Sequence, residues 1–209
     1  DGLDVGVLWF NVWMVPVMAR FDSAVDRMRG SDGMIVDLRG NPGGAGAMSM
    51  GLAGHFVDTA QVFGTMNTRT GKLTYRVNPR RSSIAGERVK PFDGPVAILM
   101  DELSGSTSEV FAGGLQSLGR VRVFGSVSMG AVLPAATTKL PNGDVLYHAI
   151  ADFLTADGTL LEGRGVIPDE QVTVKRADLL DGEDPVLEAA LRWIAAQARA
   201  RKTTLEKKQ

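Results

Sequence analysis

A serine lies where a short apolar strand leads into a helix, a position that suits a nucleophile. The run Val96–Met100 predicts a buried strand, and Ser106–Leu118 predicts a helix that ends at Gly119. A hydroxyl in the first turn of a helix lies in a field that favours developing negative charge, and the backbone N–H groups there are free to donate. Ser106 therefore has the setting of a nucleophile beside an oxyanion hole.

The same serine also suits a structural role. Ser106 and Glu109 have the S-x-x-E spacing of a capping box, in which both side chains bind backbone N–H groups at the start of a helix. On local sequence alone, a serine in this position is more often a helix cap than a nucleophile. Both roles remain open for Ser106.

A glycine-rich turn follows an earlier strand. The segment Asp37–Gly44 reads DLRGNPGG, and adjacent Gly43 and Gly44 let the backbone approach a ligand closely. Two N–H groups that point the same way form an anion-binding nest. A tight strand-to-helix turn without ligand contacts is the structural alternative, and Asp37 and Arg39 are expected to form a structural ion pair beside it.

Strands and helices alternate along the chain, which favours an α/β fold with a mixed, partly parallel sheet and flanking helices. Predicted strands are Val5–Met14, Met34–Leu38, Gln61–Asn67, Leu73–Val77, Val96–Met100, Val121–Phe124, Ala135–Leu140 and Val145–Phe153. Helices are predicted from Pro16 to Gly30, through the glycine-rich segment to Phe56, over Ser106–Leu118, and from the N-cap Asp184 to Arg199. The charged tail beyond Arg199 is expected to fray.

Composition narrows the classes of function. The 209 residues are 44% hydrophobic and 22% charged, with a formal net charge of −1, so nothing favours a nucleic-acid partner. No apolar run approaches the roughly 20 residues of a membrane span. Two histidines and no cysteine, without paired ligand spacing, predict no metal site, and no cofactor is expected.

Taken together, the two motifs resemble the catalytic core of the C-terminal processing (tail-specific) serine peptidases, whose relatives include tricorn protease and the repeats of interphotoreceptor retinoid-binding protein. The resemblance rests on DLRGNPGG at Asp37–Gly44 and STSEVFAGGLQSLGRVRVFG at Ser106–Gly125. It extends over Val5–Val174 and includes the closing segment Leu161–Asp169. It implies a ClpP/crotonase-like α/β core.

The resemblance also implies an activity and its residues. Ser106 corresponds to the nucleophile of a serine hydrolase that cleaves peptide bonds through an acyl-enzyme. The oxyanion hole corresponds to the backbone N–H of Gly43 or Gly44 together with that of Thr107. The implied substrate is a peptide or protein, including a C-terminal tail, and the implied location is periplasmic or secreted.

We expect residues 1–209 to form a single catalytic-core domain in which no PDZ module is visible. Because the chain opens almost directly on the strand-like run at Val5, we also expect it to begin inside a longer protein. The oligomeric state is left open.

The resemblance breaks at the general base. The lysine of the tail-specific branch aligns with Ala131, whose methyl group cannot accept a proton. The favoured hypothesis is that the chain belongs to the tricorn-like, lysine-free branch, which uses Ser, His and Glu, because GAVLP at Gly130–Pro134 reads as a coherent native turn. Glu162, 56 residues after Ser106, fits its glutamate, and the histidine would precede Asp1.

A second hypothesis is that the base is one of the two histidines present, His55 or His148. A third is that the protein is not a peptidase: it is a degenerate homologue that binds a ligand or peptide, or Ala131 is an engineered substitution. An esterase is a further alternative, because the same acyl chemistry serves esters.

Overall fold

Short apolar strands alternate with helices in the computed structural model, which describes residues 2–206. The strands are β1 (Val5–Trp9), β2 (Gly33–Asp37), β3 (Gln61–Thr68), β4 (Lys72–Val77), β5 (Val96–Met100), β6 (Arg122–Gly125), β7 (Ala135–Lys139), β8 (Val145–Ala149), β9 (Ala151–Thr155) and β10 (Glu170–Gln171). The helices are α1 (Val15–Met28), α2 (Ala47–Ala53), α3 (Thr107–Ser117), α4 (Arg176–Asp181) and α5 (Pro185–Glu206).

Five parallel strands form the central sheet, in the order β1-β2-β5-β6-β10. The two inner strands β2 and β5 are buried along their whole length. Such uninterrupted burial is expected where a parallel sheet is covered on both faces. The predicted α/β fold is confirmed, with parallel and antiparallel strands lying in separate sheets.

Helices cover the two faces of the central sheet, and alternation along each strand assigns its side chains to one face or the other. Met34 and Val36 belong to the larger apolar core, which also holds buried side chains of α1, α2 and α3. Ile35 lies in a second core with Val186 and Ile194 of α5. The carboxyl ends of β2 and β5 lead into the two motifs singled out from the sequence.

Two smaller antiparallel sheets lie outside the central one. Strands β4, β3 and β9 form one in that order, and β7 and β8 form a separate hairpin. The strands predicted at Gln61–Asn67 and Leu73–Val77 are present as β3 and β4, which pair as an antiparallel hairpin.

Several predicted boundaries are wrong. The first strand ends at Trp9 rather than Met14, because the chain turns so that Trp13 forms an isolated bridge with Gly44. The strand predicted over Val145–Phe153 is divided at Ile150, since β8 pairs with β7 whereas β9 pairs with β3. Beyond Arg199 the last helix continues to Glu206 instead of fraying; residues 207–209 lie outside the described part. β10 and α4 had no sequence prediction.

None of the helices within residues 2–206 combines the length and apolar character that crossing a bilayer requires.

Candidate functional site

Ser106 directly precedes α3 in a strained backbone conformation. Its φ is 51° and its ψ is −116°, and it is the one non-glycine residue in the described chain with a positive φ. An ordinary N-cap residue lies in the β region, so capping does not account for this conformation. Strain of this kind costs about 1–3 kcal/mol and gathers at functional sites, as in the sharp strand-to-helix turn of a nucleophile elbow.

Two acceptors hold the backbone of Ser106. Its N–H donates to Oε2 of Glu109 at 2.8 Å and to the carbonyl oxygen of Ala131 at 3.1 Å. The first contact is the backbone half of the predicted capping box, since the glutamate reaches back to the residue before the helix. The capping and nucleophile hypotheses are therefore compatible, because the cap positions the serine.

Glu109 is fully buried and connects α3 to the loop that carries Ala131. Besides Ser106, its donors are the Ser128 hydroxyl at 2.6 Å and the N–H groups of Gly130 at 2.7 Å and Ala131 at 3.1 Å. A carboxylate that accepts several backbone hydrogen bonds fixes all of those groups relative to one another. Position 131, where the resemblance places a lysine, is thereby held beside the candidate nucleophile.

The glycine turn packs against Ser106. Gly43 has a φ of 101°, and a Cβ atom there would lie 2.6 Å from Cβ of Ser106 and 2.9 Å from the nitrogen of Thr107. Only glycine tolerates both that conformation and that approach. The two motifs that the sequence singled out are therefore in direct contact.

Hydrogen bonding distinguishes the two candidate oxyanion donors in the turn. The N–H of Gly43 donates to Oδ1 of Asn41 at 3.0 Å and is already used. Within the described hydrogen bonds, the N–H of Gly44 and that of Thr107 reach no acceptor. An unpaired N–H is expected for Thr107 because it is the first residue of α3.

A buried network missed by sequence reasoning supports the turn. The Asn41 side chain donates to the carbonyl of Phe10 at 2.8 Å. The backbone carbonyl of Asn41 accepts hydrogen bonds from Gly105 N–H and from the Ser108 hydroxyl. The indole N–H of Trp13 donates to the same hydroxyl at 2.9 Å. The Asn-Pro-Gly-Gly turn signal identified Asn41 as a turn residue; nothing local indicated the roles of Trp13 and Ser108.

Glu162 contacts the loop that carries Ala131. Its described partners there are backbone N–H groups, not a candidate base. Its Oε2 accepts the N–H groups of Val132 at 2.7 Å and Leu133 at 3.1 Å. Gly163 N–H also donates to the carbonyl of Gly130. Both donors to the Glu162 carboxylate within the described chain reach Oε2, so the other oxygen, Oε1, is left to a further donor.

His55 is a buried structural residue. Its Nε2 lies 2.7 Å from Oδ1 of Asp22, and its Nδ1 lies 3.2 Å from a guanidinium nitrogen of Arg29. Since arginine only donates, Nδ1 accepts and Nε2–H donates to Asp22. Burial lowers the pKa of His55, and Asp22 opposes that shift. With both nitrogens engaged, His55 does not serve as a base for Ser106.

His148 lies on the exposed hairpin. Its Nε2 is 2.9 Å from the hydroxyl of Thr138 on the neighbouring strand β7. Its neighbour Tyr147, not His148, lines the cavity that contains Ser106. The structure brings neither histidine to the candidate nucleophile.

That cavity has a volume of about 230 Å³. Met66, Tyr75 and Phe153, from the three strands of the small sheet, form an apolar side of it. Burial raises the pKa of Tyr75, which keeps its hydroxyl protonated and unsuited to accept a proton.

The predicted pair of Asp37 and Arg39 is present, and Asp184 extends it. Arg39 binds Asp37 at 2.6 Å and the N-cap residue Asp184 at 2.8 Å. The hydrogen bond to Asp37 raises the pKa of Arg39, and the bond to Arg39 lowers the pKa of Asp184. Because these bonds join the end of β2 to the start of α5, the group supports the turn rather than the chemistry.

Across residues 2–206, no three or more His, Cys, Asp or Glu side chains gather as a metal would require.

A parallel α/β core, a strained serine on a strand-to-helix turn and a glycine turn against it are typical of nucleophilic serine hydrolase cores. The model of peptidase family S41 matches residues 4–172, and the chain therefore belongs to that family. The resemblance found in the sequence is confirmed.

Individual relatives agree with this assignment. A probable CtpA-like serine protease of Staphylococcus aureus is 28% identical over 180 residues, which are 85% of this chain and 35% of that protein. The photosystem II D1 C-terminal processing protease superposes with a TM-score of 0.69 at 23% identity, over 80% of this chain and 42% of that one. Tricorn protease superposes with a TM-score of 0.68 at 22% identity, over 94% of this chain and 18% of that one. At these identities the two structures support the fold, and the chain spans about a third of the curated relative's length.

Proposed function

We propose that this chain is the catalytic core of a serine peptidase that acts through an acyl-enzyme on Ser106. The observation that carries the proposal is the strained backbone of Ser106, held against the Gly43 turn by contacts that leave no room for a side chain there. A hydroxyl on a strained backbone at a helix start is the arrangement that places a nucleophile beside unpaired N–H donors.

In the first step Oγ of Ser106 attacks the carbonyl carbon of the scissile bond while its proton passes to a base. The negative charge that develops on the carbonyl oxygen is stabilised by the N–H groups of Gly44 and Thr107. The base then protonates the leaving amine, and the C–N bond breaks to give an ester on Ser106. Water hydrolyses that ester and restores the free hydroxyl.

The structure of residues 2–206 places no candidate base in contact with Ser106. We propose a histidine from outside this sequence, oriented by Oε1 of Glu162, whose Oε2 is fixed by two backbone N–H groups. In this proposal Glu162 has the role of the acid in a Ser-His-acid triad. Ala131 removes the lysine alternative.

The proposed substrate is a peptide or protein, including a C-terminal tail, and the proposed location is periplasmic or secreted. Membership of the S41 peptidase family and the CtpA-like serine protease relatives support the peptide substrate, whereas the location is carried over from the sequence resemblance alone. The single-domain organisation of the chain stays a prediction.

A fluorophosphonate probe tests the proposal on the protein that includes the proposed histidine, because the probe phosphonylates a serine only where that hydroxyl is activated. We expect stoichiometric labelling that Ser106→Ala abolishes. Ser117→Ala is the matched control, since its hydroxyl only caps the carbonyl of Gly114 at the end of α3. Absence of labelling, or labelling that survives Ser106→Ala, would overturn the proposed peptidase function.

A further inference from the structure

One stretch of the sequence is strongly basic although the formal net charge is −1. Residues 69–90 contain seven basic residues and a single acidic one, Glu87. Six of the seven are exposed, and we call them the basic edge: Arg69, Lys72, Arg76, Arg81, Arg88 and Lys90. So local an excess of one sign creates a field that attracts an anionic partner.

The charges of the basic edge are uncompensated. Within the described chain none of its six side chains forms an ion pair, whereas the seventh cation, Arg80, binds the buried Asp22 at 2.9 Å. The guanidinium of Arg81 reaches only the backbone carbonyl of Asp58. The cations that serve the fold are therefore distinct from those left facing solvent.

Two of these cations, Lys72 and Arg76, lie on a strand with an open edge. Among the described strands, β4 pairs with β3 on one side and has no strand on its other side. An open edge presents unpaired N–H and C=O groups to which an extended peptide can add. β4 itself carries two of the six cations, Lys72 and Arg76, a number that also serves to prevent aggregation. The other four lie in the turn before the strand and in the segment after it.

The two faces of β4 differ in chemistry. Alternation places Lys72 and Arg76 on one face and Leu73 and Tyr75 on the other. Tyr75 lines the cavity that contains Ser106, and Leu73 is 56% exposed on the same face. A strand that adds to this edge would therefore meet cations on one side and apolar groups, leading toward Ser106, on the other.

We propose that β4 and the basic edge form a docking site for an extended segment of the protein substrate in which acidic and apolar side chains alternate. The segment adds as a strand to β4, its acidic side chains beside Lys72 and Arg76 and its apolar ones beside Leu73 and Tyr75. This proposal rests on the proposed peptidase function, because it identifies the substrate class of that site.

A protein segment fits this surface better than other polyanions do. Only a peptide backbone satisfies the open hydrogen-bonding groups of β4, and only alternating side chains match its two faces. A lipid surface or a phosphate polymer would use the charge and leave the strand edge unpaired.

Binding is measured on the Ser106→Ala variant, so that the result does not depend on catalysis. Dye-labelled peptides with alternating Glu and Val, Gln and Val, or Lys and Val are followed by fluorescence anisotropy. We expect the Glu peptide to bind at least about tenfold more tightly than the Gln peptide, with an affinity that falls as salt rises. Hydrogen exchange of residues 72–77 should slow when it binds.

Variants locate the site. In the same background, Lys72→Glu with Arg76→Glu should abolish the preference for the Glu peptide. Lys175→Glu with Arg176→Glu, an equal change of charge on exposed residues at the start of α4, should leave it intact.

Equal binding of the Glu and Gln peptides, or unchanged exchange on β4, would overturn the docking proposal even if Ser106 is labelled by fluorophosphonate. Tight binding of the protein to anionic vesicles that displaces the Glu peptide without protecting β4 would instead assign the surface to a membrane. Peptide binding without labelling would retain the docking site and reject the peptidase.

Discussion

The buried carboxylate of Glu109 accepts a hydrogen bond from the N–H of Ser106 at 2.8 Å. The same carboxylate accepts from Ala131 N–H, and the carbonyl of Ala131 in turn accepts from Ser106 N–H. The three residues thus form a closed hydrogen-bonded group at the start of α3. A charge-assisted acceptor of this kind stabilises a strained backbone that local sequence alone would not favour.

Removing the charge of Glu109 should impair the site more than the fold. In Glu109→Gln the amide NH₂ would face backbone N–H groups, so at least one donor loses its acceptor. We expect the fluorophosphonate labelling rate to fall by about 10²-fold and the free energy of unfolding by about 1–3 kcal/mol. Stopped-flow labelling and urea denaturation measure the two effects.

Glu102→Gln is the control for that substitution, because its carboxylate binds the Ser126 hydroxyl in an exposed setting. Its labelling rate and its free energy of unfolding should both stay close to those of the parent protein. If Glu109→Gln labels as fast as the parent, the carboxylate does not position Ser106.

A methyl group on Gly43 should disrupt the contact between the two motifs. In Gly43→Ala the new Cβ would clash with Cβ of Ser106, with the carbonyl of Gly105 and with the nitrogen of Thr107. We expect labelling to be lost and the free energy of unfolding to fall by several kcal/mol, since backbone atoms cannot easily move away. Thermal unfolding and probe labelling report the two losses.

Gly40→Ala separates the steric clash from backbone strain. Gly40 also has a positive φ, 69°, but a Cβ there would meet no atom within 4 Å. Gly40→Ala should lower the free energy of unfolding by only about 1 kcal/mol, and the variant should still be labelled by the probe. Equal effects of the two substitutions would mean that strain, not contact with Ser106, makes Gly43 necessary.

In residues 1–209 alone, which do not include the proposed histidine, a lysine at position 131 should increase the reactivity of Ser106. Ala131 is exposed and hydrogen-bonded to Ser106 through its carbonyl, so Ala131→Lys places an amine on the loop beside the hydroxyl. We expect the labelling rate to rise by up to about 100-fold, the low end for a general base. The gain should grow with pH, because only the neutral amine accepts a proton.

Met129→Lys is the matched control, since residue 129 lies on the same loop, is 47% exposed and does not line the cavity that contains Ser106. It should give no gain. A similar increase from both lysines would indicate a general effect of positive charge and contradict the predicted position of the base.

His55 should make the fold sensitive to acid. Burial lowers its pKa, so as the pH falls through about 6.5 the unfolded chain binds a proton that the native state does not. The free energy of unfolding should therefore decrease as the pH falls from about 7.5 and level off once the pH is below the lowered pKa. Urea denaturation at a series of pH values measures this slope.

His55→Gln should remove that part of the pH dependence while lowering stability at neutral pH, because Asp22 and Arg29 lose a partner. His148→Gln, on the exposed hairpin, should keep the slope of the parent. A parent slope that persists in His55→Gln would assign the acid sensitivity to another group.

The sequence predicted the α/β fold and the strand before each motif, and the family resemblance of the paired motifs supplied the correspondence of Ser106 with a nucleophile. These features depend on local information: apolar runs, helix caps and the paired motifs. It also identified the missing lysine, because a substitution at an aligned position is visible without any coordinates.

Contacts between distant segments were decided only by the tertiary structure. The sequence left Gly43 and Gly44 as alternative donors, and the Asn41 side chain distinguishes them by occupying the N–H of Gly43. Glu109 appeared as a helix cap, yet its buried carboxylate also binds residues 19 to 22 positions away. Periodicity records which face of an element is apolar, but a hydrogen bond across the core depends on how the elements pack.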